Sequence, residues 1–167
     1  MKTIEINLYS FSELTLEAKQ KALNKYCNIN VGFDWWDGTY DDAANIGLKI
    51  TGFDLDRGNY CNGQLTLAAN EVAQNILNEH GEQCQTYKTA TNFINEWQPI
   101  FNKYIETEEG EDELLELENN FTNELCNDYL KMLKSECEYL TSEKGIIETF
   151  EANDYYFDIN GKLSTYA

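Results

Sequence analysis

The residues best placed to do chemistry begin with four aspartates set among aromatic side chains. In chain order this group is Asp34, Trp35, Trp36, Asp37, Tyr40, Asp41 and Asp42. Paired carboxylates beside aromatic rings can act as acid and base in glycoside hydrolysis, or they can frame a pocket for a small ligand. Aspartates at helical spacing more often form a solvated helix face. We therefore predict no catalytic residue and no enzyme, and keep a hydrolase using Asp34, Asp37 or Asp54 and Asp56 only as a residual alternative.

Two stretches have part of the pattern of a metal site. Asp54, Asp56 and Gly58 have the spacing of a calcium loop, but Leu65 stands where such a loop needs its bidentate glutamate. His80 is the only histidine, and Cys84 lies four residues after it. One histidine and scattered cysteines do not make a zinc site without further ligands. The sequence therefore predicts no metal and no cofactor.

The clearest departure from average composition is an acidic run in the second half of the chain. Ten acidic residues and no basic residue lie between Lys103 and Lys131. Carboxylates held on a rigid helical hairpin can present negative charge at a density that resembles a phosphate backbone. Such a surface can occupy the nucleic-acid-binding groove of another protein. The alternative is a charged helix tip that only keeps the protein in solution.

The elements that must position these residues follow from periodicity and turn signals. Residues 2–9 alternate in polarity as a strand does, and a helix capped by Thr15 or Ser12 follows. A helix from Phe33 to Ile46 should end at Gly47, and a β-hairpin should turn at Arg57–Asn59. The remaining predicted elements are helices at Ala68–Glu79, Thr86–Tyr104, Asp112–Leu140 and Ser142–Glu151, and a hairpin at Tyr155–Leu163.

This order of elements predicts an α+β fold. We expect a mostly antiparallel sheet of four to five strands with helices packed on it, and a long acidic helical hairpin. The length of 167 residues favours a single domain over residues 1–167, with residues 86–140 as a helical hairpin insertion within it.

Charge and cysteine content restrict the compartment and the class of partner. The formal net charge is −18, from 30 acidic and 12 basic residues. Such a charge repels nucleic acid and anionic membranes and attracts basic protein surfaces. Five widely spaced cysteines fit reduced thiols better than a disulfide framework, and no signal peptide or membrane span is evident. We expect a cytoplasmic protein without nucleic-acid or membrane partners, and leave open a homo-oligomer.

The order of several motifs resembles a family of small proteins encoded by phages and prophages. The most extensive motif is FDWWDxxYDDAxNIGLKITGFDLDRGNYC, and the similarity covers most of the chain, weakening between Asn95 and Cys137. Members are generally of unassigned activity, and some are described as antitoxin-like. The resemblance implies action on a host or phage macromolecule and transfers no catalytic residues. The matching segments are Leu16–Ala22, Phe33–Cys61, Asn78–Ala90, Glu138–Glu143 and Glu151–Leu163.

We therefore expect an acidic phage-type interaction protein that binds and inhibits a basic, nucleic-acid-binding host protein, as an anti-defence factor or antitoxin. The predicted partner-binding residues are Trp35, Tyr40, Glu106, Glu108, Glu109, Glu111, Asp112, Glu113 and Glu116. The alternative is a protein that binds a small ligand such as a signalling nucleotide. Its predicted ligand-binding residues are Trp36, Asp37, Asp54, Asp56, Arg57 and Tyr60.

Overall fold

Helices account for most of the structure. A computed structural model describes residues 5–107 and 109–165. Over these residues it contains six α-helices, a short 3₁₀ helix and four strands. The strands form two separate two-stranded antiparallel sheets, β1 with β4 and β2 with β3. The α+β class is therefore right, but the predicted sheet of four to five strands is wrong, because each pair of strands meets only its own partner.

The predicted terminal strands shrink to two residues each. β1 is Tyr9–Ser10 and β4 is Tyr156–Phe157, and they pair with each other. Residues 5–8 have no regular structure, and residues 2–4 of the predicted strand lie outside the described part of the chain. The predicted C-terminal hairpin is reduced to one bridge, between Phe157 and Leu163.

The chain divides into two compact units. The first, which we call the terminal unit, comprises Met1–Trp35 and Ser135–Ala167, and the second, the central unit, comprises Trp36–Lys134. The central unit is thus a continuous segment inserted in the sequence of the terminal unit. A single domain over residues 1–167 stays a prediction.

In the terminal unit, two capped helices enclose an aromatic core. Of the two predicted caps, Thr15 is the one that begins helix α1, Leu16–Lys25: its hydroxyl accepts the Ala18 amide at 3.3 Å. Helix α6, Glu143–Ala152, is capped in the same way by Ser142. Such caps satisfy amides that the first helical turn leaves without partners. The buried side chains of this core are Phe11, Leu14, Ala18, Ala22, Leu23, Ile146, Phe150 and Phe157.

The central unit begins with a helix and a β-hairpin. Helix α2 is Asp37–Ile46, so it starts four residues later than predicted and leaves Phe33 outside it. It ends as predicted at Gly47, whose φ of 96° is in the left-handed region that glycine adopts without strain. Strands β2, Leu48–Asp54, and β3, Tyr60–Leu65, then form the predicted hairpin.

Three helices complete this unit. They are α3, Ala69–Glu79, α4, Gln85–Thr107, and α5, Glu111–Leu140, whose last six residues belong to the terminal unit. Contacts between α4 and α5 show that they run antiparallel. The rings of Phe93 and Phe121 stack with centroids 4.2 Å apart, and the Thr89 hydroxyl donates to the Asp128 carboxylate at 2.7 Å.

Candidate functional site

The turn between α4 and α5 carries a group of exposed carboxylates, which we call the acidic end. Three of them occupy the first turn of α5, where the helix dipole favours negative charge. Glu109 lies 3.8 Å from the Lys103 ammonium, an ion pair between two exposed side chains. The predicted Glu108 lies outside the described residues. The acidic end comprises Glu106, Glu109, Glu111, Asp112, Glu113 and Glu116, all exposed.

Two large apolar side chains are exposed within the same stretch. Ile105 is 64% exposed near the end of α4, and Leu115 is 58% exposed in the first turns of α5. The neighbouring Leu114, by contrast, is buried. Exposed apolar groups flanked by charge have the composition of a protein interface, in which apolar anchors lie inside a polar rim. Sequence periodicity did not identify these two residues.

Tyr40, one of the two aromatic anchors predicted from sequence, is not part of the acidic end. Tyr40 is half-buried, its ring centroid lies 6.2 Å from that of Phe53, and burial raises the pKa of its hydroxyl. Its helix contacts α5 at Tyr129, eighteen residues beyond Glu111, which corresponds to roughly 27 Å along a helix. Trp35 is also half-buried, and it belongs to the terminal unit.

Four of the alternative ligand-binding residues lie in or beside the β2–β3 turn, and the carboxylate of one of them, Asp54, is already engaged. Asp54 accepts hydrogen bonds from the backbone amides of Asp56, Arg57 and Gly58, at 2.8 to 3.2 Å. The amide of Asp56 contributes most to lowering the pKa of Asp54. Asp54 therefore shapes the β2–β3 turn.

Of the other alternative ligand-binding residues, one packs against a neighbouring ring and the rest are exposed to solvent. The ring of Trp36 packs against Phe53, with centroids 5.4 Å apart, while Asp37 at the start of α2 is exposed. The side chains of Asp56, Arg57 and Tyr60 are exposed as well. Within the described ranges, no cluster of three or more His, Cys, Asp or Glu side chains could hold a metal ion.

A cavity that the sequence did not predict lies between α2, the α3–α4 turn and α5. Its volume is about 380 Å³, and we call it the His80 cavity. In the sequence, His80 and Cys84 suggest no more than an incomplete zinc site, because the residues that the fold brings beside them are distant in the chain. Their main companions in the lining are Asp42, Thr86, Asp128 and Met132.

Hydrogen bonds hold the polar side chains of this cavity in place. His80 Nδ1 is hydrogen-bonded to the Thr86 hydroxyl at 2.7 Å, whereas its Nε2 lies 3.7 Å from Asp42 Oδ1, beyond hydrogen-bond distance. The Tyr129 hydroxyl donates to Asp42 Oδ2 at 2.7 Å. Burial, assisted by the bond to Asp42 and by nearby Asp128, raises the pKa of Tyr129. Tyr129 therefore remains a hydrogen-bond donor to Asp42 over the whole neutral range.

Asp128 is the most deeply buried carboxylate of the cavity. It is 4% exposed, a rare environment for an acid unless the acid is partnered. One oxygen accepts from Thr89, and the other lies 3.2 Å from the ammonium of Lys131, which is 69% exposed. The two contacts hold the carboxylate at a fixed position in the wall of the cavity.

Comparisons of the chain with known protein families, with curated proteins and with solved structures find no match. Of the helices in residues 5–107 and 109–165, none combines the length and apolar character needed to cross a lipid bilayer. The resemblance to phage-encoded proteins therefore rests on the sequence motifs alone.

Proposed function

We propose that this protein binds a basic, nucleic-acid-binding host protein through its acidic end and blocks it, as an anti-defence factor or antitoxin. The observation that carries the proposal is the arrangement of the exposed carboxylates around exposed Ile105 and Leu115. The resemblance to phage-encoded proteins supports a target in the host cell. Its action would need no catalytic residue and no cofactor.

Charge and apolar side chains would have different parts in this interaction. The net charge of −18 and the carboxylates at the turn would attract a basic surface and accelerate the encounter. Ile105 and Leu115 would then be covered by the partner, and burial of apolar side chains slows dissociation. Apolar side chains placed among the carboxylates would give a partner surface to bury, which a purely charged helix tip would not offer.

The alternative of a signalling-nucleotide binder has weaker support. Arg57 is the only basic residue in its predicted set, and three carboxylates, Asp37, Asp54 and Asp56, belong to the same set. These carboxylates would repel the phosphates of a nucleotide. The acidic end is therefore the better candidate for function.

Two variants of equal charge test the proposal. The first neutralises Glu109, Glu111, Asp112, Glu113 and Glu116 of the acidic end as Gln or Asn. The control neutralises five exposed carboxylates elsewhere, Glu71, Glu82, Glu96, Glu143 and Glu151, as Gln. Removing five negative charges takes each from −18 to −13. Each tagged protein is expressed in the bacterial host, and the proteins that co-purify with it are identified.

We expect a basic nucleic-acid-binding protein to co-purify with the wild type and with the control, but not with the acidic-end variant. The rate at which the wild-type protein associates with this partner should fall by roughly tenfold or more between 50 and 500 mM salt, because screening weakens attraction between exposed charges. Replacing both Ile105 and Leu115 by Ser should mainly accelerate dissociation. Equal loss of binding in both charge variants, or association that salt does not alter, would contradict the proposal.

A further inference from the structure

The His80 cavity has a charge that suits a cation and excludes an anion. Among the described residues in its wall, three are carboxylic acids, Asp42, Glu79 and Asp128, and none is Lys or Arg. The ammonium of Lys131 contacts one oxygen of Asp128 from an exposed position. Opposite charges attract more strongly in a partly desolvated cavity than in water.

One carboxylate oxygen in the cavity retains its capacity to accept a hydrogen bond. Asp42 Oδ2 receives the Tyr129 hydroxyl at 2.7 Å, but Oδ1 lies 3.7 Å from His80 Nε2. A separation of 3.7 Å is too long for a hydrogen bond. The side chain of Asp42 is 42% exposed, so an incoming donor can reach it, while that of His80 is 10% exposed and fixed against Thr86.

The rest of the wall is suited to a short hydrocarbon chain. Met132, Cys84 and Gly81 contribute apolar or weakly polar surface next to the carboxylates. A thioether adapts its shape to varied apolar ligands because methionine has three rotatable bonds. A volume of about 380 Å³ lies at the lower end of the range of small-molecule sites.

We propose that the His80 cavity binds an aliphatic ammonium group, with the charged end at Asp42 and Asp128 and the alkyl part against Met132. An ammonium ion carries three donors, and Asp42 Oδ1, which lies too far from His80 Nε2 to accept a hydrogen bond from it, can accept one of them. The group can come from a free aliphatic amine or from a lysine side chain of another protein. This site is separate from the acidic end, so it does not rest on the function proposed above.

The test is an NMR titration of the full-length ¹⁵N-labelled protein at constant ionic strength. The first probe is n-butylammonium, and n-butanol is its neutral counterpart of similar size. We expect butylammonium to shift the amides of Gly81, Cys84 and Thr86 in a saturable way, and butanol to leave them unchanged. Equal shifts with butanol, no saturable shift, or shifts confined to the acidic end would overturn the proposal.

Two neighbouring aspartates provide a matched pair of variants. Asp42→Asn removes a charge from the cavity wall, while its amide oxygen can still accept the Tyr129 hydroxyl. Asp41→Asn removes the same charge from an exposed position that does not line the cavity. We expect Asp42→Asn to weaken butylammonium binding at least tenfold and Asp41→Asn to change it less than twofold. Equal weakening by both variants would show a non-specific charge effect and refute the site.

A cavity-filling variant keeps the test independent of charge. Cys84 is exposed at the rim, so Cys84→Trp should occupy the cavity without disturbing the buried network. It should abolish the butylammonium shifts, and unchanged binding would place the ligand elsewhere.

Lysine with its α-amine acetylated and its carboxyl amidated then distinguishes the two sources of the ammonium group. Binding as tight as that of butylammonium indicates a protein lysine, whereas binding of the free amine alone indicates a small molecule.

Discussion

Replacement of Tyr129 by Phe should reveal how the buried phenol supports the His80 cavity. Tyr129 is 0% exposed and donates to Asp42 Oδ2 at 2.7 Å. Phe keeps the ring and removes only that bond, which is worth about 1–2 kcal/mol because the acceptor is charged but partly in solvent. At pH 8 we therefore expect the variant to have a free energy of unfolding lower by about 1–2 kcal/mol.

The pH dependence of this difference follows from the raised pKa of Tyr129. Burial and the bond to Asp42 favour the neutral phenol in the folded state, so its pKa lies above the ordinary value of 10.0. Above that value the unfolded state releases a proton that the folded state keeps. The contribution of Tyr129 to the free energy of unfolding is therefore fully present below pH 10, and it falls as the pH rises further. For a phenol that stays protonated in the folded protein, the loss reaches about 1.4 kcal/mol at pH 11.

Phe cannot lose this contribution, so the difference between wild type and Tyr129→Phe should nearly vanish between pH 8 and pH 11. Urea unfolding followed by circular dichroism at each pH measures it. Other titrating groups, including Tyr40, affect both proteins equally and cancel in the difference. Tyr60→Phe, at an exposed position, controls for the loss of a tyrosine as such. If the difference in the free energy of unfolding between the two proteins stays constant or grows with pH, Tyr129 is not a buried phenol hydrogen-bonded to Asp42.

Two further predictions concern contacts that hold each unit together. Thr89→Val removes the hydroxyl donor to buried Asp128 and should lower the free energy of unfolding by about 1.5–3 kcal/mol in urea titrations. Its control, Thr122→Val, removes a hydroxyl that donates to a carbonyl of its own helix and should cost under about 0.5 kcal/mol. Gly161→Ala should cost about 3 kcal/mol, because φ is 79° and the new methyl group would collide with the backbone of α1. Gly38→Ala, in open space on α2, should instead raise stability by up to about 1 kcal/mol, and thermal unfolding compares the two.

The elements that the sequence predicts correctly are those whose signals are local. Thr15 caps its helix because its hydroxyl reaches an amide three residues away, and Gly47 ends α2 because glycine adopts positive φ without strain. The β2–β3 hairpin forms around Asp54, which binds the amides of its own turn. Each of these needs only residues within a few positions of one another.

The sheet was mispredicted because strand length depends on a partner that local alternation does not reveal. The alternation over residues 2–9 and the turn at Asn160-Gly161 both indicate strands. In the structure the partners pair over only two residues, Tyr9 with Phe157 and Ser10 with Tyr156. Phe157 is buried nonetheless, because its ring packs against Phe150 of α6 with centroids 5.0 Å apart. Helices supply the burial that a larger sheet would have supplied.

The His80 cavity had one sequence signal, which the acidic run concealed. In the composition of the segment, Asp128 is one of ten acidic residues between Lys103 and Lys131, which suggests that its side chain is exposed to solvent. Its helical spacing, however, places Asp128 on the apolar face of α5, three residues after Leu125 and four before Met132. An acid on an apolar stripe must be buried with partners or pointed at a ligand, because a lone buried carboxylate is too costly. Thr89 and Lys131 are those partners, and they fix the carboxylate in the cavity wall without filling the space in front of it.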